Sequence, residues 1–167
     1  MSDHSPFRLS AIKIFARFTK EEIEDLWQLG ESIHVRPHAH VIIEGEPTRG
    51  LFVIISGQVS VYRNEPGSTS MSRLALLDEG ANFGELSLVD QAPRSATVVA
   101  ETACQLFYLN AESFLAWLEK SPGDLSLRFY RACSEELAIR MRRVNQDYIT
   151  AQQQLWKHAL RRAEAKE

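Results

Sequence analysis

Glu85 and Arg94 are the residues of this chain whose types and spacing point most directly to chemistry. They lie in the run F-G-E-L-S-L-V-D-Q-A-P-R-S-A-T-V over residues 83–98, which interrupts an otherwise β-like pattern. Gly84 has no Cβ and lets the backbone approach a ligand closely. Residues 85–89 can form one helical turn, whose leading amides and dipole favour an anion. Pro93 ends that excursion and Arg94 opens the next strand. A guanidinium facing a helix start across a short loop makes a pocket for one phosphate. Glu85 in the same pocket would repel a bare phosphate. Its carboxylate gains a purpose if it accepts a hydrogen bond from a sugar hydroxyl beside the phosphate.

A second cluster, His38, His40 and Glu44, has the H-x-H-x₃-E spacing of the first cupin motif. Two histidines two apart on a strand face one side and could share a metal with Glu44. That metalloprotein alternative also needs a later histidine from another strand. His4 stands at the chain start, His34 just upstream and His158 in the tail, and none takes the role, so no metal is expected. No nucleophile with a neighbouring base is visible, so neither an enzymatic activity nor a cofactor is expected.

The elements that must position these residues follow from pattern. Residues 2–6 read as a disordered lead-in. Thr19 and Glu22 form a capping box ahead of a short amphipathic helix carrying Ile23, Leu26 and Trp27, with Gly30 as its stop. From Ile33 to Leu109 short runs rich in β-branched and apolar residues alternate with turns: residues 41–43, 51–55, 59–62, 74–77, 96–99 and 105–109. Residues 64–72 read as a mobile hairpin tip. Many short strands at even spacing argue a mainly β fold with flanking helices, a jelly-roll β-barrel (double-stranded β-helix). Residues 111–120 return to a helical period, residues 121–123 break it, and 125 to about 166 form one long helix. The expected division is 1–124 for the barrel with its short helices and 125–167 for the long helix. On that helix Leu137, Met141, Val144, Tyr148, Ala151 and Leu155 alternate spacings of four and three, the stripe of a coiled coil. The expectation is a homodimer through it.

Composition sets limits on the partners. The net charge of the 167 residues is −3, which suggests neither nucleic acid nor an anionic membrane. Up to Asp124 there are 10 basic and 17 acidic residues, and from Leu125 on 9 and 5, a mildly basic tail on an acidic body. Cys104 and Cys133 make no metal-ligand spacing and read as two reduced, buried thiols. No run approaches the length of a membrane span, and the chain reads as soluble and cytoplasmic. Only 12 residues follow Leu155, too few for a helix-turn-helix, so DNA is not an expected partner.

Residues 83–98 resemble the phosphate-binding cassette of the cyclic nucleotide-binding domain family, F-G-E-L-A-L, a spacer, then P-R-A-A-T-V. Ser87 and Ser95 are mild departures. Glycine-turned segments at Gly45, Gly57 and Gly80 extend the likeness over roughly residues 15–148. The resemblance implies that Arg94 pairs with the cyclic phosphate and that Gly84, Leu86 and Ser95 offer amides, Ser95 also its hydroxyl. It implies that Glu85 takes the ribose 2′-OH, and that Ala96 and Val98 line the pocket. Phe83, Ser87 and Thr97 complete the expected set. Where the family contacts the base from its long helix, this chain has Val144 and Asn145, of which only Asn145 can hydrogen-bond. The implied function is a stand-alone sensor of a cyclic mononucleotide, cyclic AMP before cyclic GMP, signalling through the long helix to a twin or to an effector protein of unknown identity. A second alternative is a transcription-factor relative that has lost both its DNA-binding domain and its ligand.

Overall fold

The computed structural model describes residues 7–65, 67–68 and 70–164, with side chains over residues 8–65, 67–68 and 70–157. The expected lead-in at residues 2–6 lies outside them, as do Pro66 and Thr69 of the expected mobile tip. The chain divides into two compact units, Met1–Ala132 and Cys133–Glu167.

The first unit opens with α1 (Phe7–Ser10), a 3-10 turn (Lys13–Phe15) and α2 (Lys20–Leu29). Eight strands follow: β1 (Glu31–Val35), β2 (His40–Ile42), β3 (Gly50–Ser56), β4 (Val59–Asn64), β5 (Met71–Leu77), β6 (Asn82–Phe83), β7 (Thr97–Ala100) and β8 (Cys104–Asn110). Between β6 and β7 lies α3 (Leu86–Asp90), and after β8 come α4 (Ala111–Lys120) and α5 (Leu125–Glu164). The strands make two antiparallel sheets in the orders β1-β8-β3-β6 and β2-β7-β4-β5, the expected jelly roll. Side chains from both inner faces, among them Ile42, Phe52, Ile54, Val98 and Leu106, fill the space between them. β3 is apolar at nearly every position, and both of its faces are buried. Its middle residues Val53 and Ile54 are fully enclosed, which is why its pattern is continuous rather than alternating.

The expected strands are present, several of them longer than their apolar runs. Two carry little sequence signal. β1 pairs all five residues with β8 yet contributes only Ile33 and Val35 as apolar side chains. β6 is two residues long. Two local expectations are corrected, and a third holds for another reason. Arg94 lies three residues ahead of β7, not at its start. α3 ends at Gln91, which takes a left-handed φ of 55°, before Pro93 is reached. Gly30 does end α2, but with φ −97°, an extended backbone open to any residue. It is required because the Phe107 ring, stacked on Trp27 at 4.9 Å, occupies the place of a Cβ.

The capping box of α2 is formed: Thr19 N–H donates to Glu22 Oε2 and Glu22 N–H to Thr19 Oγ1. Beneath it Phe15 packs against Phe18, Phe114 and Phe129. Leu125, Phe129 and Ala132 are buried, so the unit boundary falls inside α5 rather than at its first residue. Arg128 ties this cluster together. Its guanidinium donates to both carboxylate oxygens of Glu22, to Asp124 Oδ1 and to the Arg17 carbonyl. In the second unit α5 continues as helix to Glu164, and its side chains over residues 141–150 are exposed. No helix among the described residues is long and apolar enough to cross a membrane.

The hydrogen bonds from Arg128 hold the Glu22 carboxyl below the usual carboxylate range, with the Thr19 amide adding to the effect. A carboxylate depressed in the folded state stabilises above its unfolded pKa, and that stability is lost as pH falls through the folded value. Arg128→Met should therefore destabilise the protein at pH 7 by roughly 1–3 kcal/mol in urea unfolding. The gap to wild type should narrow as pH is lowered below about 4. An unchanged gap down to acid unfolding would show that Glu22 and Arg128 are not coupled.

Candidate functional site

Arg94 belongs to the loop between α3 and β7, and its backbone ties that loop to the turn after β2. Arg94 N–H donates to the Glu46 carbonyl at 2.9 Å, and Gly45 N–H donates to the Arg94 carbonyl at 2.8 Å. The side chain runs inward and is 5 % exposed. Nη1 donates to the Gly84 carbonyl at 3.1 Å and Nη2 to the Gly50 carbonyl at 2.6 Å. Gly84 meets two demands that only glycine satisfies. Its φ is +86°, and a Cβ there would stand 2.7 Å from Arg94 Nη1. Burial pulls the guanidinium pKa below the ordinary arginine value, opposed by Tyr108, Glu85 and Glu46 nearby. The group remains a cation all the same, because the arginine pKa starts so high.

Glu85 stands at the N-cap of α3 and is 3 % exposed. Its carbonyl accepts the first helical bonds, from Leu88 and Val89. Its carboxylate accepts a hydrogen bond from Asn82 Nδ2 at 3.1 Å. Two buried charged side chains therefore lie beside Gly84, Glu85 next to it in the chain and Arg94 through space.

The other expected residues are placed as follows. Phe83 is buried, stacked on Phe52 with centroids 5.1 Å apart. Leu86 and Ala96 are half-buried and Ser95 is exposed. Val98 belongs to the core between the sheets. Thr97 is buried, and its hydroxyl accepts the Glu44 N–H at 3.0 Å. Ser87 is buried beside a cavity of about 540 Å³ that Thr48, Gln91, Pro93 and Leu115 also line. Asn145 lies in the second unit, exposed on α5. Arg94 borders a different cavity of about 350 Å³, with Ile33, His40, Arg49, Phe52 and Tyr108 on its walls.

The histidine cluster does not assemble as the strand alternation implies. His38 precedes β2 in a left-handed conformation, φ 65°, so the two-residue period that would set it beside His40 does not apply. Glu44 Oε2 accepts the Asn64 N–H. Among the described residues, no three metal-ligating side chains come together. His4 and the side chain of His158 lie outside them.

Sequence reasoning passes over three participants. Gly50 and Glu46 act through backbone carbonyls, which no side-chain pattern reports. Asn82 does leave a trace: it is a polar residue directly before the apolar start of the cassette, at a position that proves 7 % exposed.

The fold and the site define a small-molecule binding roll, with a buried arginine and a buried glutamate at a short helix between strands. The model of the family named cyclic nucleotide-binding domain matches residues 32–121, more than half of the chain. The chain belongs to that family. It is 31 % identical over 110 residues to the CRP-like cAMP-activated global transcriptional regulator of Mycobacterium tuberculosis, covering 65 % of this chain and 46 % of that one. It is 29 % identical over 123 residues to a cGMP-dependent protein kinase of Caenorhabditis briggsae, covering 70 % of this chain and 16 % of the kinase. The crystal structure of the catabolite activator protein of Thermus thermophilus superposes with a TM-score of 0.69 at 26 % identity, over 86 % of this chain and 61 % of that one. The chain spans less than half the length of either curated relative.

Arg94 is thus part of the structure that holds the cassette, at the edge of a cavity. Arg94→Ala leaves the Gly50 and Gly84 carbonyls without their donors, at a cost of about 1–3 kcal/mol. Urea unfolding of the ligand-free protein should show that loss. Unchanged stability would mean that the two carbonyl bonds contribute nothing to holding the cassette.

Proposed function

We propose that this chain is a receptor for a 3′,5′-cyclic mononucleotide, cyclic AMP, and that it relays occupancy through a dimer of its C-terminal helix. Arg94 pairs with the cyclic phosphate, Glu85 accepts the ribose 2′-OH, and the amides of Gly84, Leu86 and Ser95 complete the phosphate cradle. The observation that carries the reading is the burial of Arg94 and Glu85 on either side of Gly84, the guanidinium donating to the Gly84 and Gly50 carbonyls and the carboxylate accepting from Asn82. A phosphate offers the guanidinium charge-assisted bonds about twice as strong as those to neutral carbonyls. A sugar hydroxyl offers the carboxylate a donor without bringing in a second charge. A ligand carrying both groups on one rigid ring matches this pair. The chain acts by binding, and the binding is that of a family named for its ligand.

The relay rests on the second unit taken by itself. Met141, Val144, Tyr148 and Leu155 are each at least 60 % exposed in the single chain. With Leu137 and Ala151 they continue one stripe at the spacing of a coiled-coil seam, which a second copy of the same helix covers. The signal is a change in that pairing, and it requires the ligand to bind two helix arrangements with different affinity.

Calorimetric titration with cyclic AMP and cyclic GMP side by side tests the reading. Saturable binding of both, cyclic AMP the tighter, is expected. A folded protein that binds neither would overturn it, and tighter cyclic GMP would reassign the base. Glu85→Gln should weaken cyclic AMP about tenfold or more while leaving 2′-deoxy cyclic AMP nearly unchanged, because the carboxylate acts only through the hydroxyl the analogue lacks. Equal losses for the two ligands would give Glu85 another role. For the dimer, Val144→Glu sets two carboxylates face to face in an apolar layer, where neither is solvated. Light scattering should report a dimer for wild type and a monomer for the mutant, and equal masses would sink the seam.

A further inference from the structure

The ribose contact asks more of Glu85 than a negative charge. A glutamate side chain has three rotatable bonds, and a hydroxyl is recognised only if a carboxylate oxygen waits in one place. In this structure Asn82 is placed to answer that demand. Asn82 is 7 % exposed and Glu85 3 %, and Asn82 Nδ2 donates to Glu85 Oε2 at 3.1 Å. An ionised carboxylate only accepts, so the amide must turn its NH₂ toward it.

Asn82 is itself well anchored. It lies on β6, in register with Val53 of β3, and Val53 is fully buried. The next residue, Phe83, is stacked on Phe52 with an interplanar angle of 9°. The short strand therefore fixes the amide to the sheet before the chain turns at Gly84 into α3. Every other apolar or glycine residue around this point packs or turns. Asn82 is a buried polar side chain directly before Phe83, and burying an amide is costly unless it meets a partner.

We propose that Asn82 is the positioning residue for Glu85, and that through this hydrogen bond it sets the preference of the site for ribose over deoxyribose. The inference rests on the reading of Glu85 given above and adds to it the residue on which that selectivity depends. Asn82 has no contact with the phosphate in this scheme. Its removal must therefore affect only ligands that carry the 2′-hydroxyl.

The test uses cyclic AMP and 2′-deoxy cyclic AMP as probes in calorimetry on the full chain. Asn82→Leu keeps the approximate side-chain volume and removes the donor. It should weaken cyclic AMP about tenfold and leave the deoxy analogue unchanged, in keeping with the loss of one hydrogen bond to a charged group. In a Glu85→Gln background the same substitution should move neither ligand, since the contact it organises is already gone. Equal weakening of both probes, or the same loss in the Glu85→Gln background, would show that Asn82 supports the fold and not the carboxylate. Circular dichroism checks that the variant folds. If Asn82→Leu does not, the smaller Asn82→Ala replaces it: it also lacks the donor and brings no charge, so it should give the same ribose-specific loss, and full discrimination would overturn the proposal. A wild type without ribose preference would fail the reading of Glu85 and this inference with it. A wild type that prefers ribose, with an Asn82→Leu variant that keeps the preference, would fail this inference alone.

Discussion

A guanidinium taken out of water has to find acceptors in fixed positions, and Arg94 finds them in two backbone carbonyls from distant parts of the chain. Much of the site is arranged around that requirement. Gly50 opens β3 and supplies one carbonyl. Gly84 supplies the other, and can do so only with a left-handed backbone and no Cβ in the path of the guanidinium. The main chain of Arg94 pairs with the turn after β2 at Gly45 and Glu46, so the loop that carries the charge is fastened at both backbone and side chain. Carbonyls satisfy such a group without neutralising it. An anion entering here gains a charge-assisted interaction that the protein alone does not supply.

Glu85 poses the same problem with the opposite sign. Its carboxylate is as buried as the guanidinium and is met by the amide of Asn82. Both charges adjoin Gly84 by different routes, Glu85 as the next residue and Arg94 by a hydrogen bond to its carbonyl. The two unlike charges stand close together beside Gly84, the guanidinium held by two carbonyls and the carboxylate bonded to an amide. In the function proposed above, the pair reads a phosphate and a hydroxyl at once. The roll supplies the low-dielectric surroundings that make each of these bonds stronger than it would be in water.

The helices outside the roll answer a different need. α1, α2, α4 and the first turns of α5 bury the aromatic cluster around Phe15, Phe114 and Phe129. Arg128 draws the cap of α2, the turn before it and the residue preceding α5 onto one cation. The beginning of α5 therefore belongs to the folded body. Beyond Ala132 the same helix forms a unit of its own, with an apolar stripe that the single chain leaves exposed.

Much of this was legible in the order of residues, because it depends on local chemistry. The capping box at Thr19 and Glu22, the bounds of α4, the start of α5 and most strands follow from propensity and period, which act within a few residues. The cassette was legible because its glycine, glutamate, proline and arginine stand at the spacings of the family pattern, a signal confined to sixteen residues. β1 was harder to see, since two apolar side chains in five are a weak pattern and its pairing with β8 spans most of the chain. Gly30 was read as a stop when its reason is the Phe107 ring, brought from 77 residues away by the roll. His38 and His40 looked like partners until a left-handed turn removed one from the strand. The sequence by itself determined which residues carry charge into the site and which elements hold them. Only the tertiary structure decided what those charges meet: the carbonyl of Gly50, the amide of Asn82 and the backbone of Glu46. Backbone atoms are the same in every residue, so no pattern of side chains can say which of them will face a buried arginine once the strands have closed.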